Sequence, residues 1–332
     1  MLRKFIIITT INEKTKAIKR FSALLKDWQI ILVGDKKSKK IKSKDNIIFL
    51  SVEDQEKLNF NITKYLPYNH YCRKNIGYLY AIKLGAEVIY DTDDDNIPYD
   101  NWSFPKFECQ KSISSTNSDC KFINIYKYFT SQNIWPRGFP LDELNQKNKL
   151  MIKNHKKVKK IGAWQGLADI DPDVDAIYRL IINNKIIFKK KKSVFIEKNV
   201  YCPFNSQNTL WNKEAFMFIY LPLSVSFRFT DILRGYIAQR LFWQHNLYLG
   251  FTKATVYQER NQHNLIRDFS DEIECYIKTK RIINILNELK LNVDYSNNLK
   301  KVYSTLKNEG IITTTELASL DAWINDFNKL KG

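Results

Sequence analysis

The chain contains little cysteine and no long hydrophobic segment. Its 332 residues include five cysteines, an odd number without any Cys-x-x-Cys spacing: Cys72, Cys109, Cys120, Cys202 and Cys275. This pattern argues against structural zinc and predicts reduced thiols in a cytoplasmic protein. No apolar run approaches the roughly 20 residues that span a bilayer. The N-terminal apolar run is short and lacks a small-residue cleavage site, so we expect a first strand there and no signal peptide.

Arginine is scarce beside lysine. The chain has 11 arginines and 42 lysines, and its net charge is +18 at pH 7. Such a charge predicts attraction to polyanions, to an anionic membrane surface or to a phosphate-bearing acceptor. Lysine-rich compositions also arise from genomic base bias, and we find no basic–aromatic recognition motif, so we expect no nucleic-acid partner. Where lysine is the usual cation, an arginine indicates a need for the planar guanidinium fork.

The order of apolar runs predicts an α/β fold with a doubly wound, parallel sheet in its first third. Strands are expected at residues 5–10, 30–33, 47–50 and 87–90, and helices at 15–26 and 69–84. The later pattern is less regular and predicts a strand at 122–128, a basic exposed segment at 150–160, a loop at 162–175, a short helix at 176–182, a strand within 194–203, and an amphipathic helix at 231–247 capped by Thr230. Helices at 271–289, 299–307 and 317–330 complete the chain. We therefore predict a catalytic domain over residues 1–268 and a helical appendage over 269–332.

The acidic cluster after the strand at 87–90 is the most informative feature. Asp91, Asp93, Asp94 and Asp95 follow this strand directly. Crowded carboxylates raise one another's pKa, and a hard divalent cation such as Mg²⁺ or Mn²⁺ relieves that repulsion. The cluster therefore predicts a metal site of the DxD type, with Asp93 and Asp95 as ligands and His263, one of four histidines, as a third. The alternative is a solvated acidic turn.

Polar residues at the other strand ends predict a nucleotide site, because ligands of doubly wound sheets bind beyond the carboxyl ends of strands. Thr10 and Asn12 follow the first strand and Asp35 follows the second. Arg73 and Lys74 begin the helix before the acidic strand, where a phosphate is favoured. With Asp93, these residues form the predicted cofactor-binding set. A helix cap, a turn and a solvent-facing basic pair are the respective alternatives.

The second half of the chain carries the candidate catalytic and acceptor groups. Asp231 begins the predicted helix at 231–247 and is the candidate general base, with Asp171 as the alternative. Six further residues are expected to contact the substrates: Asp169, Asn205, Gln207, Asn208, Arg228 and Arg234. For the acidic residues the alternative is a capped helix start without chemistry, and for the amides it is a polar surface turn.

Four ordered segments resemble a known family. They are GLADIDPDVDAIYRL at 166–180, NSQNT at 205–209, DILRGYIAQR at 231–240 and QERNQHN at 258–264. They are similar to the STELLO-type glycosyltransferase-like domain, within the A-type glycosyltransferases that have a single Rossmann-like domain. This resemblance implies a Rossmann-like mixed sheet flanked by helices and a sugar-nucleotide donor. It does not imply a particular donor sugar or acceptor.

These observations predict a metal-dependent glycosyltransferase. Mn²⁺ or Mg²⁺ would assist departure of the nucleoside diphosphate, and the sugar would pass from a donor, UDP-type favoured, to a glycan or lipid-linked acceptor. We expect a role in surface-polysaccharide assembly, in the cytoplasm or peripherally at the inner face of an anionic membrane. Two other classes stay open: a nucleotide-sugar mutase or self-glycosylating protein, and a non-enzymatic protein that binds polyanions or membranes.

Overall fold

A computed structural model describes residues 2–12, 14–39, 41–145, 149–260 and 264–331. Within these ranges ten strands form one mixed sheet: β1 (Lys4–Thr9), β2 (Gln29–Val33), β3 (Ile47–Leu50), β4 (Val88–Thr92), β5 (Asn96–Pro98), β6 (Glu108–Ser115), β7 (Leu150–Asp169), β8 (Val194–Ile196), β9 (Asn208–Asn212) and β10 (Leu247–Gln258). The predicted strands of the first third are all present.

Helices flank the sheet and close the chain. The α-helices of the described ranges are α1 (Lys16–Leu24), α2 (Val52–Lys57), α3 (Lys74–Lys83), α4 (Tyr126–Phe129), α5 (Ala176–Ile181), α6 (Thr230–Gln244), α7 (Leu265–Glu288), α8 (Tyr295–Asn308) and α9 (Thr314–Lys331). Short 3₁₀ turns lie at Asn61–Lys64, Tyr71–Arg73, Leu141–Glu143 and Lys213–Ile219. Among the described helices, none is both long enough and apolar enough to span a bilayer.

The sheet joins a parallel half to a mixed half. Strands β3, β2, β1 and β4 are parallel neighbours in that order, and β9 then pairs antiparallel with both β4 and β7. The C-terminal part of β7, residues 160–169, here called its inner end, pairs in parallel with β10. The preceding residues of β7 pair antiparallel with β6. The predicted Rossmann-like mixed sheet with flanking helices is therefore confirmed.

Helix α3 packs unusually close to the parallel strands. A Cβ atom at Gly77 would lie 2.6 Å from Val33 and 2.7 Å from Ile7, so only glycine permits this approach. The helix begins at Lys74 and therefore presents its first turn to the edge of the sheet where β1, β2 and β4 end. This edge is where the predicted nucleotide and metal residues meet.

Two predicted elements in the middle of the chain were wrong. The expected strand at 122–128 is an isolated bridge at Phe122 followed by α4, because Asn124 donates to the Ile134 carbonyl and accepts from the Tyr126 amide. The expected loop at 162–175 contains the inner end of β7. That end is buried on both faces, so it has no alternating pattern to mark it as a strand. Strands β5, β6, β9 and β10 were not predicted.

Helix α6 is not the amphipathic surface helix that its sequence suggested. All but one of its residues are buried, because the C-terminal helices cover the face that would otherwise meet solvent. Arg240 on this face donates to the carbonyls of Leu286 and Leu289 in and after α7. Thr230 does not cap the helix as expected, since its hydroxyl donates to the Ser226 carbonyl inside the preceding turn.

The three predicted C-terminal helices are present and share the hydrophobic core of the preceding residues. Helix α7 begins at Leu265, so the predicted boundary after residue 268 falls in its first turn, and the division into two domains stays a prediction. Glu316 of α9 is fully buried and accepts hydrogen bonds from the Tyr220 hydroxyl and from the amides of Leu223 and Ser224. It therefore fastens the segment that leads into α6.

We expect Glu316→Ala to lower the free energy of unfolding by about 2–4 kcal/mol, because it leaves buried donors without acceptors. Asp321→Ala on the same helix removes an ion pair to Lys300 in which both side chains are about half exposed, and should cost less than about 1 kcal/mol. Urea denaturation of both variants measures the difference. Equal losses would contradict an anchoring role for Glu316.

Candidate active site

Two adjoining cavities lie at the carboxyl edge of the parallel strands. The first has a volume of about 270 Å³ and the second about 410 Å³. They share four lining residues: Thr9, Tyr71, Asp94 and Phe227. Two of the predicted metal residues, Asp93 and Asp95, lie in the first cavity, and four of the predicted nucleotide residues line the second: Thr10, Asn12, Asp35 and Arg73. The structure therefore brings these two groups together.

The carboxylates of the acidic cluster occupy different environments. Asp91, the fourth residue of β4, is fully buried and pairs with Lys74 of α3 at 2.7 Å and with Arg234 of α6 at 3.1 Å. Asp93, Asp94 and Asp95 follow the strand and line the first cavity. Asp91 is therefore enclosed by its two cationic partners. Of the four carboxylates, only those of Asp93, Asp94 and Asp95 can contact a ligand in the cavity.

Asp94 organises the N-terminal loop. It accepts hydrogen bonds from the Thr10 hydroxyl at 2.6 Å and from the Asn12 amide at 3.1 Å. Both predicted nucleotide residues line the second cavity while being held by this carboxylate. Their contact with a nucleotide stays a prediction. Asp94 itself lines both cavities.

Asp93 and Asp95 are the cluster's carboxylates that best suit a cation. Desolvation raises the pKa of Asp93 to about 7, although Lys74 opposes this, and desolvation also raises the pKa of Asp95. Asp95 accepts from the Gln258 side chain at 2.9 Å, whereas the nearest hydrogen-bond donor to Asp93 is Lys74 at 3.5 Å. In the described part of the chain no three His, Cys, Asp or Glu side chains converge as a metal cluster. The third predicted ligand, His263, lies outside the described residues.

The basic pair at the start of α3 is turned into the protein. The Lys74 ammonium is fully buried and contacts Asp91, Asp93 and the Thr92 carbonyl. The Arg73 guanidinium donates to Gln55 and lines the second cavity. Both side chains therefore have firm protein partners, and their predicted contact with a diphosphate stays a prediction.

The second cavity combines polar and aromatic groups. Asp35 accepts from the amides of Lys36 and His70 at 2.7 and 3.3 Å. The His70 ring stacks on Tyr71 with centroids 5.8 Å apart, and Phe227 meets both rings edge-on. Burial lowers the pKa of His70, so its ring is neutral at neutral pH. A planar, uncharged ligand is well suited to this lining.

Asp231, the candidate base, is held by an arginine that the sequence did not point to. Arg137 donates to both carboxylate oxygens of Asp231 and to both of Asp173. Burial opposes ionisation of Asp231, but Arg137 and Arg234 together hold the pKa of this carboxyl below its ordinary value. Asp171, the alternative base, is paired with Arg179. Both carboxylates thus have arginine partners.

The predicted substrate residues divide into two groups. Gln207 and Arg228 line the first cavity, and Asn205 lies behind it with its amide donating to Asp173. Asp169 instead binds the Tyr99 hydroxyl and the Phe188 amide. Two others are also turned into the interior: Asn208, which donates to the Leu167 carbonyl, and Arg234, which pairs with Asp91. The contacts of all six with a substrate stay predictions.

Three arginines of the first cavity were not among the predicted site residues: Arg137, Arg179 and Arg260. With Arg228, they place four of the chain's 11 arginines on one cavity. The scarcity of arginine was the signal that could have found them, because it marks each arginine as a candidate for a site that needs the guanidinium fork. Gln258, the first residue of the segment at 258–264, was also not among the predicted site residues.

Comparison with known proteins agrees with the resemblance in the sequence. The family model described as "STELLO glycosyltransferases" matches residues 228–331. Two curated Arabidopsis thaliana proteins, "Probable glycosyltransferase STELLO2" and "Probable glycosyltransferase STELLO1", are 28% and 27% identical over 97% of this chain. The chain spans 44% of the length of each relative. Its similarity to the STELLO-type glycosyltransferase domain is therefore confirmed.

We expect Asp91→Asn to lower the free energy of unfolding by about 3–5 kcal/mol, because Lys74 and Arg234 would then be buried without their charged partner. Asp27→Asn is the matched control, since Asp27 pairs with Lys4 and its side chain is half exposed, and it should cost less than about 1 kcal/mol. Chemical denaturation tests the pair. A loss at position 91 no larger than the loss at position 27 would contradict the support assigned to Asp91.

Proposed function

We propose that this chain, a STELLO-type glycosyltransferase domain by its similarity, moves a sugar from a nucleoside-diphosphate donor to an acceptor. The observation that supports this most directly is that the two cavities meet at Asp94, while its neighbours Asp93 and Asp95 line the first cavity. A nucleoside in the second cavity would have its diphosphate at these carboxylates and its sugar in the first cavity. The acceptor would approach from the remaining side of the first cavity.

The second cavity has the groups that a nucleoside needs. Asp35 and Asn12 offer oxygen acceptors for hydroxyl or imide protons, and His70, Tyr71 and Phe227 offer ring faces and edges. A uracil or ribose can use both kinds of contact. We therefore favour a UDP-type donor and propose Thr10, Asn12 and Asp35 as its contacts.

The fold family implies a divalent cation, and the residues present fit one. Asp93 faces the cavity with 44% of its side chain exposed, so its carboxylate is accessible to a cation. Mg²⁺ commonly binds one or two carboxylates together with substrate phosphates, which suits Asp93 and Asp95 with the donor. When bound, Mn²⁺ or Mg²⁺ would stabilise negative charge on the departing diphosphate.

Asp231 and Asp171 remain the proposed candidates for the base, but their surroundings favour different tasks. Asp231 accepts hydrogen bonds from Arg137 and from the Ser206 amide. It therefore holds these two cavity residues in place and also lines the cavity itself. A lowered pKa makes a carboxylate a weaker proton acceptor. We propose that Asp231 acts first by positioning Arg137 and accepts the acceptor's proton only in an inverting reaction.

A thermal-shift series with UDP, GDP and CDP, each with and without Mn²⁺, tests the donor site. A nucleotide at about 100 times its Kd should stabilise the fold by about 2.7 kcal/mol. We expect one nucleotide to raise the melting temperature in a Mn²⁺-dependent manner, and Asp93→Asn to abolish this dependence. Asp100→Asn, an acidic position 92% exposed in its side chain, should behave as the unmodified protein. No shift with any nucleotide would contradict the proposal.

Both possible tasks of Asp231 require its ionised carboxylate. Because its pKa is lowered from an ordinary value of about 3.9, Asp231 is ionised throughout pH 5–8 and cannot produce an acidic limb there. We expect Asp231→Asn to reduce donor turnover at least about 100-fold across that range, with nucleotide binding retained. A variant that only shifts the pH profile, with full turnover at its optimum, would contradict both tasks.

A further inference from the structure

Three arginines line the first cavity and not the second. Arg179, Arg228 and Arg260 contribute to the first cavity, and none of them lines the second. Their side chains are largely buried, with 4%, 13% and 13% exposed. Two glutamines of the same cavity form a hydrogen-bonded chain with the acidic cluster, since Asp95 accepts from Gln258 and Gln258 accepts from Gln207. The cavity lining therefore contains the acidic cluster, two glutamines and these three arginines.

The guanidiniums keep donors that their protein partners do not use. Arg260 donates through one terminal nitrogen to Asp268 at 2.7 Å, and its buried Nε has no hydrogen-bond partner among the described residues. The buried Nε of Arg179 is also without a partner there. Arg228 donates to Glu272 through Nε and one terminal nitrogen. Buried donors without partners are costly, so these arginines have hydrogen-bonding capacity that their protein partners leave unused.

The electrostatics favour an added negative charge. Burial, together with the neighbouring charges of Arg179 and Arg228, lowers the pKa of Arg260 to about 10. The three cations are therefore close enough to repel one another, although each has a carboxylate partner. Arg137 is different, because Asp173 and Asp231 occupy its guanidinium.

We propose that Arg179, Arg228 and Arg260 form an acceptor subsite that binds an oxyanion, either a phosphate or a carboxylate. The guanidinium fork matches the paired oxygens of both groups. The inference deepens the proposed function and rests on it, because the donor's diphosphate is assigned to the Asp93 side, next to the second cavity. An oxyanion bound at these three arginines then belongs to the acceptor, whose nucleophilic hydroxyl would lie between the arginines and the donor sugar.

The test measures inorganic phosphate binding by isothermal titration calorimetry, with and without saturating UDP and Mg²⁺. We expect phosphate to bind equally in both conditions, and Arg260→Gln to weaken it at least tenfold, which corresponds to about 1.4 kcal/mol. Arg228→Gln should weaken it similarly. Arg267→Gln is the matched control, since the Arg267 side chain is 82% exposed. Arg267 lies in the first turn of α7, next to Asp268, which is the partner of Arg260. UDP affinity should be unchanged in all three variants.

Two results would overturn the subsite. Competition between phosphate and UDP would mean that the arginines hold the donor's diphosphate, and equal phosphate affinity in Arg260→Gln and Arg267→Gln would mean that the arginines bind no oxyanion. Arg260→Lys guards against misfolding, because it keeps the charge without the fork and should bind phosphate with intermediate affinity. If the unmodified protein bound no UDP but bound phosphate in an arginine-dependent manner, the donor site would be overturned and the oxyanion site supported.

A second set of probes separates the two sources of the oxyanion. Methyl glucuronide carries a carboxylate on a sugar, and methyl glucoside is its neutral counterpart. Tighter binding of the glucuronide than of the glucoside, with sensitivity to Arg260→Gln, would support a uronic-acid acceptor. Binding of phosphate alone would support a phosphorylated acceptor. If neither probe bound in an Arg260-dependent manner, the proposed subsite would be wrong.

Discussion

The buried charge of Asp91 is the constraint on which the rest of the site depends. A carboxylate without access to water is tolerated only when cations and hydrogen bonds balance it. Lys74 and Arg234 provide that balance from two different helices, at 2.7 and 3.1 Å. The requirement fastens α3 and α6 to the end of β4. The acidic cluster continues directly from this fixed position, and the carboxylates of Asp93, Asp94 and Asp95 line the first cavity.

The same network continues across the cavity wall. Arg234 donates to the Ser206 hydroxyl, the Ser206 amide donates to Asp231, and Asp231 accepts from Arg137. Each charged group of this network thus has an oppositely charged or hydrogen-bonding neighbour, as the low dielectric of the interior requires. Asp93 and Arg260 line the same cavity, and the proposed cation and oxyanion sites would place both kinds of charge in it.

The predictability of the fold follows from the distance between interacting segments. The parallel half was predicted because its strands and helices alternate within the first 92 residues, and each shows its own local pattern. The mixed half was largely missed. Strand β9 pairs with β4 from more than a hundred residues away, and the inner end of β7 is buried on both faces. Neither property leaves a mark in the local periodicity of the chain.

The sequence by itself determined where polar groups follow strands, and hence that acidic, amide and hydroxyl residues gather at one edge of the sheet. Only the tertiary structure decided which of them are structural. Asp91 and Asp93 are two residues apart, yet one is buried between cations and the other faces a cavity. Arg137 reaches Asp231 across 94 residues of chain. Solvation and pairing depend on such distant neighbours, so the role of a charged residue is decided when the chain folds and not by its local sequence.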